Sequence, residues 1–296
     1  MNGDYSRPVV LGGTALVLAG GGVAGIAWEI GVLQGIADID LLLARQILEA
    51  DVVIGTSAGA AVGAQVTSGA KLADLYDAQL RLETAEMEVD LDIDNISTII
   101  QSAVEGASGA IDARRRIGAV AIGASTGDPA IRRAIIEARL PEKEWPSRKL
   151  FVTAIDAESG ELAIFSSQSN VKLIDAVAAS CAVPGVWPPV TLDGRHFIDG
   201  GVRSPTNADV VAGAERVLII VPVLQEELST WPSLSDELNS LAPAPVYVLG
   251  ADQASVSAFG ANALSPATRL PSARAGRAVG ALHAKEIAEK WLQTRI

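Results

Sequence analysis

The sequence predicts a three-layer α/β fold in which a mostly parallel central sheet lies between two layers of helices. Two observations predict it. First, a short apolar strand over Thr14–Ala19 precedes a helix over about 26–37 and a second strand over Asp51–Gly55, which is the order of a βαβ unit. Second, the chain is 49% hydrophobic but only 4% aromatic, and small and β-branched residues suit parallel strands that are covered on both faces.

Further apolar runs extend this pattern along the chain. A hairpin is predicted over Val190–Ile198, because Asp193-Gly194 is a strong signal for a two-residue hairpin turn. The other predicted strands are Leu150–Ile155, Leu162–Phe165, Val217–Val221 and Val246–Leu249. The other predicted helices are Leu41–Ala50, Ala58–Ala64, Leu173–Cys181 and a terminal amphipathic helix from Ala275.

Residues 71–149 are the least regular part and are interpreted as a helical or flap insertion. Asp128-Pro129 predicts a helix start, with Asp as the N-cap and Pro at the first helical position. Over Glu86–Asp94 acidic and apolar residues alternate, which favours an edge strand or a flap over an acyl-binding cleft. Pro222–Pro245 is predicted to be a loop. Because neither an internal repeat nor a linker is evident, residues 1–296 are predicted to form a single domain.

Charge and cysteine content exclude several classes of protein. A net charge of -12 argues against nucleic-acid binding and against stable binding to an anionic membrane. It is compatible with transient binding to a lipid or micelle surface. Cys181 is the only cysteine, so no intramolecular disulfide requires an oxidising compartment. Residues 1–8 lack the features of a signal peptide, and the most apolar stretch, Gly21–Ala37, carries Glu29. A cytoplasmic protein without a spanning helix is therefore expected.

A nucleophile turn is predicted at Gly55–Gly59, around Ser57. A nucleophilic serine needs its hydroxyl exposed on a sharp strand-to-helix turn, and glycines two residues before and after it remove steric clashes. This segment follows a predicted strand and opens a helix of small residues. A second match, Gly123–Gly127 around Ser125, lacks that context because Pro129 fixes the helix start beyond it. Ser57 is therefore the predicted nucleophile, and Ser125 is the weaker alternative.

The glycine-rich turn Gly20–Gly25 lies between a predicted strand and a predicted helix and allows three interpretations. It could hold the pyrophosphate of a dinucleotide, but the acid of the next strand, Asp51, lies at the wrong end to bind the ribose. It could supply backbone N–H groups to the oxyanion of a tetrahedral intermediate. It could also be a turn needed only for close packing. The oxyanion interpretation is favoured.

The general base is predicted to be an aspartate. The two histidines are His196, on the predicted hairpin, and His283, in the terminal helix, and neither placement suggests a catalytic triad. An aspartate held against the serine hydroxyl in a dry pocket can act directly, because burial raises its pKa. Asp199 fits this role, since it stands where the hairpin strand meets Gly200-Gly201.

In this order, the glycine turn, the Ser57 turn and Asp199-Gly200-Gly201 resemble the corresponding elements of patatin-like phospholipases. The small-residue and proline segment over 180–190, just before the aspartate, is similar to that of the family as well. The resemblance covers about 14–209. It implies hydrolysis of lipid acyl esters by a Ser–Asp dyad on a mostly parallel sheet, without metal or other cofactor. The residues that it carries over are Ser57 and Asp199 as catalytic residues, Gly20, Gly21, Gly22 and Ala58 as the oxyanion hole, and Gly25, Gly55, Gly59, Gly200 and Gly201 as motif glycines.

One position departs from the family pattern. Members usually carry Arg or Lys before the last glycine of the first loop, where this chain has Ala24. The missing cation argues against phospholipids more than against ester cleavage. A carboxylesterase acting on neutral esters, and a weak or silent lipid-binding protein on the same fold, are therefore the alternatives to a phospholipase. A dinucleotide-binding oxidoreductase would leave Ser57 and Asp199 unexplained.

Overall fold

The computed structural model describes Tyr5, Val10 and residues 12–89, 93–222 and 232–291. Its strands lie within one residue of the predicted bounds. The strands are β1 (Thr14–Leu18), β2 (Val52–Thr56), β3 (Lys149–Asp156), β4 (Leu162–Phe165), β5 (Val190–Leu192), β6 (Arg195–Asp199), β7 (Arg216–Val221) and β8 (Val246–Gly250).

Helices connect most of these strands. The predicted capping at Asp128 is present, since its carboxylate accepts a hydrogen bond of 2.8 Å from the Ala130 N–H. The terminal helix begins six residues before the predicted start. The helices are α1 (Gly22–Ile39), α2 (Leu41–Leu48), α3 (Ala58–Thr67), α4 (Leu72–Leu80), α5 (Ile93–Val104), α6 (Ala110–Gly123), α7 (Pro129–Arg139), α8 (Leu173–Ser180), α9 (Leu234–Ser240), α10 (Gln253–Phe259) and α11 (Arg269–Trp291).

A single mixed sheet forms the middle layer, as predicted. Its strands pair in the order β5-β6-β3-β2-β1-β7-β8, and β4 pairs with β3. The pairs among β3, β2, β1, β7 and β8 are parallel, while β4, β5 and β6 pair antiparallel. Successive residues of β1 belong to the cores on opposite faces, with Val17 on one side and Leu18 on the other. Both faces are therefore covered, which explains why the central strands are apolar throughout.

Helices α1 and α11 pack against each other through glycine. A Cβ atom added at Gly31 or Gly35 would overlap backbone atoms of α11, and one added at Gly276 or Gly280 would overlap backbone atoms of α1. Without side chains at these four positions the two backbones can approach closely. By length and composition α1 could cross a membrane, but 72% of it is buried within the protein. The buried Glu29 carboxyl accepts a hydrogen bond of 2.8 Å from the Ala19 N–H.

Two sequence predictions about irregular segments need correction. In the segment Glu86–Asp94, residues 86–89 form no strand, residues 90–92 lie outside the described residues, and the helix α5 begins at Ile93. The predicted alternation fails at Glu86, whose carboxylate turns inward to Arg139. The predicted loop over Pro222–Pro245 contains α9, and residues 223–231 of it lie outside the described residues.

Candidate active site

Ser57 lies on a strained turn between β2 and α3. Its φ of 54° and ψ of -111° are unusual for a residue with a side chain, and such strain is typical of a nucleophile turn. The glycines two residues before and after Ser57 allow neighbouring backbone segments to pack closely. A Cβ atom at Gly55 would overlap the Gly59 carbonyl group, and one at Gly59 would overlap the Leu18 carbonyl group.

Ser180, the last residue of α8, and Cys181, the residue after it, hold the backbone of Ser57, and sequence reasoning gave them no role. The Ser57 N–H donates to Ser180 Oγ at 2.9 Å. The Cys181 thiol donates to the Ser57 carbonyl oxygen at 3.2 Å. Burial raises the pKa of Cys181 to about 11, so this residue stays a neutral thiol and a hydrogen-bond donor. The motif that precedes the aspartate thus also fixes the serine.

Asp199 ends β6 and is 5% exposed. Its Oδ1 accepts a hydrogen bond of 2.7 Å from the Gly201 N–H, whereas Oδ2 is buried without a hydrogen bond of standard geometry to any described residue. Burial raises the pKa of Asp199 to about 6, and the Ser57 hydroxyl, the Gly201 N–H and the charge of Arg132 act to lower it. The Ser57 hydroxyl therefore faces the carboxyl closely enough to influence its ionisation.

Asn207 ties the serine strand to the aspartate loop. Its side-chain amide donates to Thr56 Oγ1 at 3.1 Å and to the Gly200 carbonyl oxygen at 3.2 Å, and Thr56 Oγ1 lies 2.8 Å from Thr153 Oγ1. Asn207 is fully buried and has a left-handed φ of 47°. A lone asparagine carries no pattern, so the sequence offered no signal for this role.

The glycine turn presents fewer free donors than predicted. The Gly20 N–H was expected in the oxyanion hole but donates to the Pro205 carbonyl oxygen at 2.9 Å, so Gly20 is not a free donor. Within the described residues, the N–H groups of Gly21, Gly22 and Ala58 donate to no acceptor. Gly22 has a φ of +65°, and its Cα faces Leu264 so closely that a Cβ atom would lie 2.7 Å from that side chain.

The two histidines pair with residues other than Ser57 and Asp199, and the second candidate serine lies in a loop. His196 is half-buried on β6, with Nδ1 2.5 Å from Glu158 Oε1, and His283 Nδ1 is 2.9 Å from the Tyr247 hydroxyl. Ser125 is exposed in the loop between α6 and α7.

Two further observations concern a dinucleotide and a metal ion as cofactors. Asp51 accepts a hydrogen bond of 2.8 Å from the Thr14 N–H, at the end of β1 opposite the glycine turn, so it cannot serve a ribose there. In the described part of the chain, no group of three or more His, Cys, Asp or Glu side chains could hold a metal ion.

Two arginines, Arg132 and Arg139, line a cavity in front of Ser57. A cavity of about 20 Å³ is lined by Ser57, Arg132 and Trp187, and a second cavity of about 230 Å³ adjoins it. Both cavities are bordered by Glu86 and Arg139, whose side chains form a bidentate ion pair with distances of 2.6 and 2.8 Å. Glu86 therefore forms part of the wall of the cavity that Ser57 lines.

The fold and this turn define an α/β protein with a serine on a strained strand-to-helix turn. Residues 16–212 match the family model described as patatin-like phospholipase. Because the match spans more than half of the chain, the chain belongs to the patatin-like phospholipase family. Membership of this family supports lipid acyl hydrolysis as its activity.

Two solved structures are similar to the chain. VipD from Legionella pneumophila has a TM-score of 0.43 and 13% identity, over 94% of this chain and 67% of VipD. The type III effector protein ExoU has a TM-score of 0.42 and 17% identity, over 92% of this chain and 53% of ExoU. The chain thus spans about half the length of ExoU.

Proposed function

We propose that the protein is a serine acyl hydrolase in which Ser57 is the nucleophile and Asp199 is the general base. One observation supports this proposal above all. Ser57, on a strained turn, lies close to the buried carboxyl of Asp199, whose pKa is raised to about 6. At neutral pH this carboxyl is mostly ionised and can accept a proton. A base whose pKa lies close to the working pH is well suited to proton transfer.

The reaction would run in two halves. In the first, the Ser57 hydroxyl attacks the ester carbonyl carbon while Asp199 takes its proton. The alcohol leaves with that proton, and the acyl group stays on Ser57 as an ester. In the second, water attacks this ester, Asp199 takes a proton from the water, and the proton returns to Ser57 as the fatty acid departs. The dyad thus needs neither histidine nor metal.

The oxyanion of each tetrahedral intermediate would be held by backbone N–H groups. Those of Gly21, Gly22 and Ala58 are the candidates, because none of them donates to an acceptor within the described residues. The N-terminus of α3 also points its partial positive charge toward this position. Each donor of this kind contributes roughly a hundredfold to a thousandfold in rate.

The acyl chain would enter the cavity of about 230 Å³ beside the serine. Its wall includes aliphatic side chains from three helices, which suits a hydrocarbon chain. They are Val23 and Ile26 from α1, Leu75 from α4 and Ile135 from α7. Transient contact with a micelle or membrane surface would deliver such a substrate.

The test is hydrolysis of p-nitrophenyl esters of graded chain length by the wild type, Ser57→Ala and Ser125→Ala. We expect Ser57→Ala to lose at least a thousandfold in kcat/KM and Ser125→Ala to match the wild type, because Ser125 lies in an exposed loop. A fluorophosphonate probe should label Ser57 alone, as mapped by mass spectrometry. Activity retained in Ser57→Ala would refute the proposal.

A further inference from the structure

Arg132 is a buried cation beside the nucleophile that the dyad chemistry does not use. It lies in the first turns of α7, is 7% exposed, and lines the same small cavity as Ser57. Its guanidinium group stacks over the ring of Trp187 at 4.0 Å. One long hydrogen bond of 3.4 Å joins its Nη2 to the Cys181 carbonyl oxygen, and its Nε has no partner among the described residues.

The positive charge of Arg132 is not matched by an ion pair within the described part of the chain. Arg139 is neutralised by Glu86. Arg269, the third guanidinium that faces Glu86, donates to neutral oxygens of Gln79, Ala78 and Arg81. Among the described residues, the guanidinium groups of Arg132, Arg139 and Arg269 face only two carboxyl groups here, those of Glu86 and Asp199. This interior therefore holds more positive than negative charge, although the chain as a whole has a net charge of -12.

Such an arrangement favours the binding of an anion. A buried guanidinium with free donors loses hydration without regaining it from a carboxylate. Its planar fork matches the geometry of a phosphate, which can accept two hydrogen bonds from it. The stacking on Trp187 restrains the fork in one plane, so Arg132 is organised for such an anion before it binds.

We propose that Arg132 binds the phosphate of a glycerophospholipid-type ester while Ser57 attacks the neighbouring acyl group. This inference rests on the proposed function and makes it more specific. Arg132 would supply, from α7, the cation that Ala24 does not supply in the glycine turn. The acyl chain would extend into the larger cavity, away from Arg132.

Binding includes a movement of the outer wall of the small cavity. At about 20 Å³ the cavity has room for about one water molecule. Glu86 and Met87 belong to this wall, and Met87 is 47% exposed. A lipid therefore enters by displacing a surface side chain.

The test measures binding by calorimetry in a Ser57→Ala background. The ligands are dihexanoylphosphatidylcholine and dihexanoylglycerol below their micellar concentrations. Arg132→Gln should weaken binding of the phospholipid by about tenfold to a hundredfold and binding of the neutral lipid by less than threefold. Arg133→Gln is the matched control: Arg133 is in the same helix, is 42% exposed and pairs with Asp175 on the surface.

Inorganic phosphate distinguishes the two sources of the anion. A lipid phosphate is favoured if millimolar inorganic phosphate competes only weakly with the phospholipid, and strong competition would assign the site to free phosphate instead. If Arg132→Gln does not fold, Arg132→Lys replaces it. Lysine lacks the planar guanidinium group that donates two hydrogen bonds to a phosphate, so phospholipid binding should still weaken several-fold. Equal affinity of wild type and variants for the phospholipid would overturn the proposal.

Activity at pH 8 separates this role from an effect on Asp199. The charge of Arg132 lowers the pKa of Asp199, so a purely positioning role predicts that Arg132→Gln loses activity on every ester at pH 6 and regains it at pH 8. A phosphate subsite predicts a loss confined to phospholipids that persists at pH 8. If binding depends on Arg132 but the wild type cleaves no ester, the proposed hydrolysis fails while the subsite stands.

Discussion

Ser57 and Asp199 lie at the carboxyl ends of two strands that meet end to end along one edge of β3. Residues 154 and 155 of β3 pair with both β4 and β6, and residues 152 and 153 pair with both β2 and β4. Because β4 occupies one edge, β2 and β6 share the other. Thr56 pairs with Thr153, and Asp199 pairs with Ala154. The serine turn and the aspartate are thus brought together by strand register.

Replacing Asp199 with Asn should abolish turnover and stabilise the fold. Burial raises the pKa of Asp199 from 3.8 to about 6, so the folded state holds the proton more tightly than the unfolded state. The stability that this group contributes is present below about pH 4 and is lost as the pH rises to about 6. At pH 7.5 Asp199→Asn should therefore gain on the order of 2–3 kcal/mol, as urea denaturation would measure.

The control for that variant is His196→Ala, which removes a half-buried side chain paired with Glu158. It should change kcat/KM by less than about twofold. The stability gain of Asp199→Asn should also shrink at pH 4, where the wild-type carboxyl is protonated. A loss of activity in His196→Ala as large as that in Asp199→Asn would instead indicate a triad with histidine.

The pH profile should report the ionisation of Asp199. A general base must be deprotonated, so kcat/KM should rise with pH around a midpoint near 6. Between pH 5 and pH 7 the rise should be about tenfold, as follows from one ionisation with that pKa. The rate at which a fluorophosphonate labels Ser57 should show the same pH dependence, and this rate does not depend on product release. A flat profile over this range would argue against Asp199 as the base.

The sequence was sufficient for the elements that local pattern determines. Strands β1 and β2 are mostly apolar runs followed by small residues, and the Ser57 turn follows one of them directly. The position of Asp199 at the end of a hairpin strand was predicted from Asp199-Gly200-Gly201 next to a hairpin turn. These features need only neighbouring residues to be recognised.

The remaining features depend on contacts between distant segments, which one sequence does not reveal. Gly20 was expected to offer a free N–H, but the Pro205 carbonyl oxygen accepts it. The alternation over Glu86–Asp94 predicted an edge strand or a flap, but the Glu86 carboxylate turns inward to pair with Arg139. Asn207 had no predicted role, since its partners Thr56 and Gly200 come from other elements.

Alanine at Gly59 should damage the protein far more than alanine at Gly127. The two residues occupy the same position in two G-x-S-x-G segments. A Cβ atom at Gly59 would overlap the Leu18 carbonyl group, whereas no atom of the described residues lies within 4 Å of one at Gly127. Gly59→Ala should therefore lose about 2 kcal/mol or more of stability together with its activity. Thermal denaturation of both variants tests this, and equal melting temperatures would contradict it.

Breaking the ion pair between Glu86 and Arg139 should strongly destabilise the protein. The side chains are only 10% and 9% exposed, and the positive charges of Arg139, Arg132 and Arg269 lower the pKa of Glu86. Glu86→Gln leaves the Arg139 guanidinium buried without a carboxylate, and removal of one partner of a buried pair costs about 3–5 kcal/mol. Glu86→Gln/Arg139→Gln should cost less than the sum of the two single variants, because no buried charge of this pair is then unmatched.

The matched control is Glu137→Gln, in the same helix as Arg139. Glu137 lies 3.7 Å from Arg133, and both side chains are more than 40% exposed. Water solvates and screens such a pair, so its loss should change the free energy of unfolding by less than about 1 kcal/mol. Urea denaturation of the single and double variants at pH 7.5 gives the coupling energy directly. A coupling energy of zero would mean that Glu86 and Arg139 do not depend on each other, and that the inward turn of Glu86 has another cause.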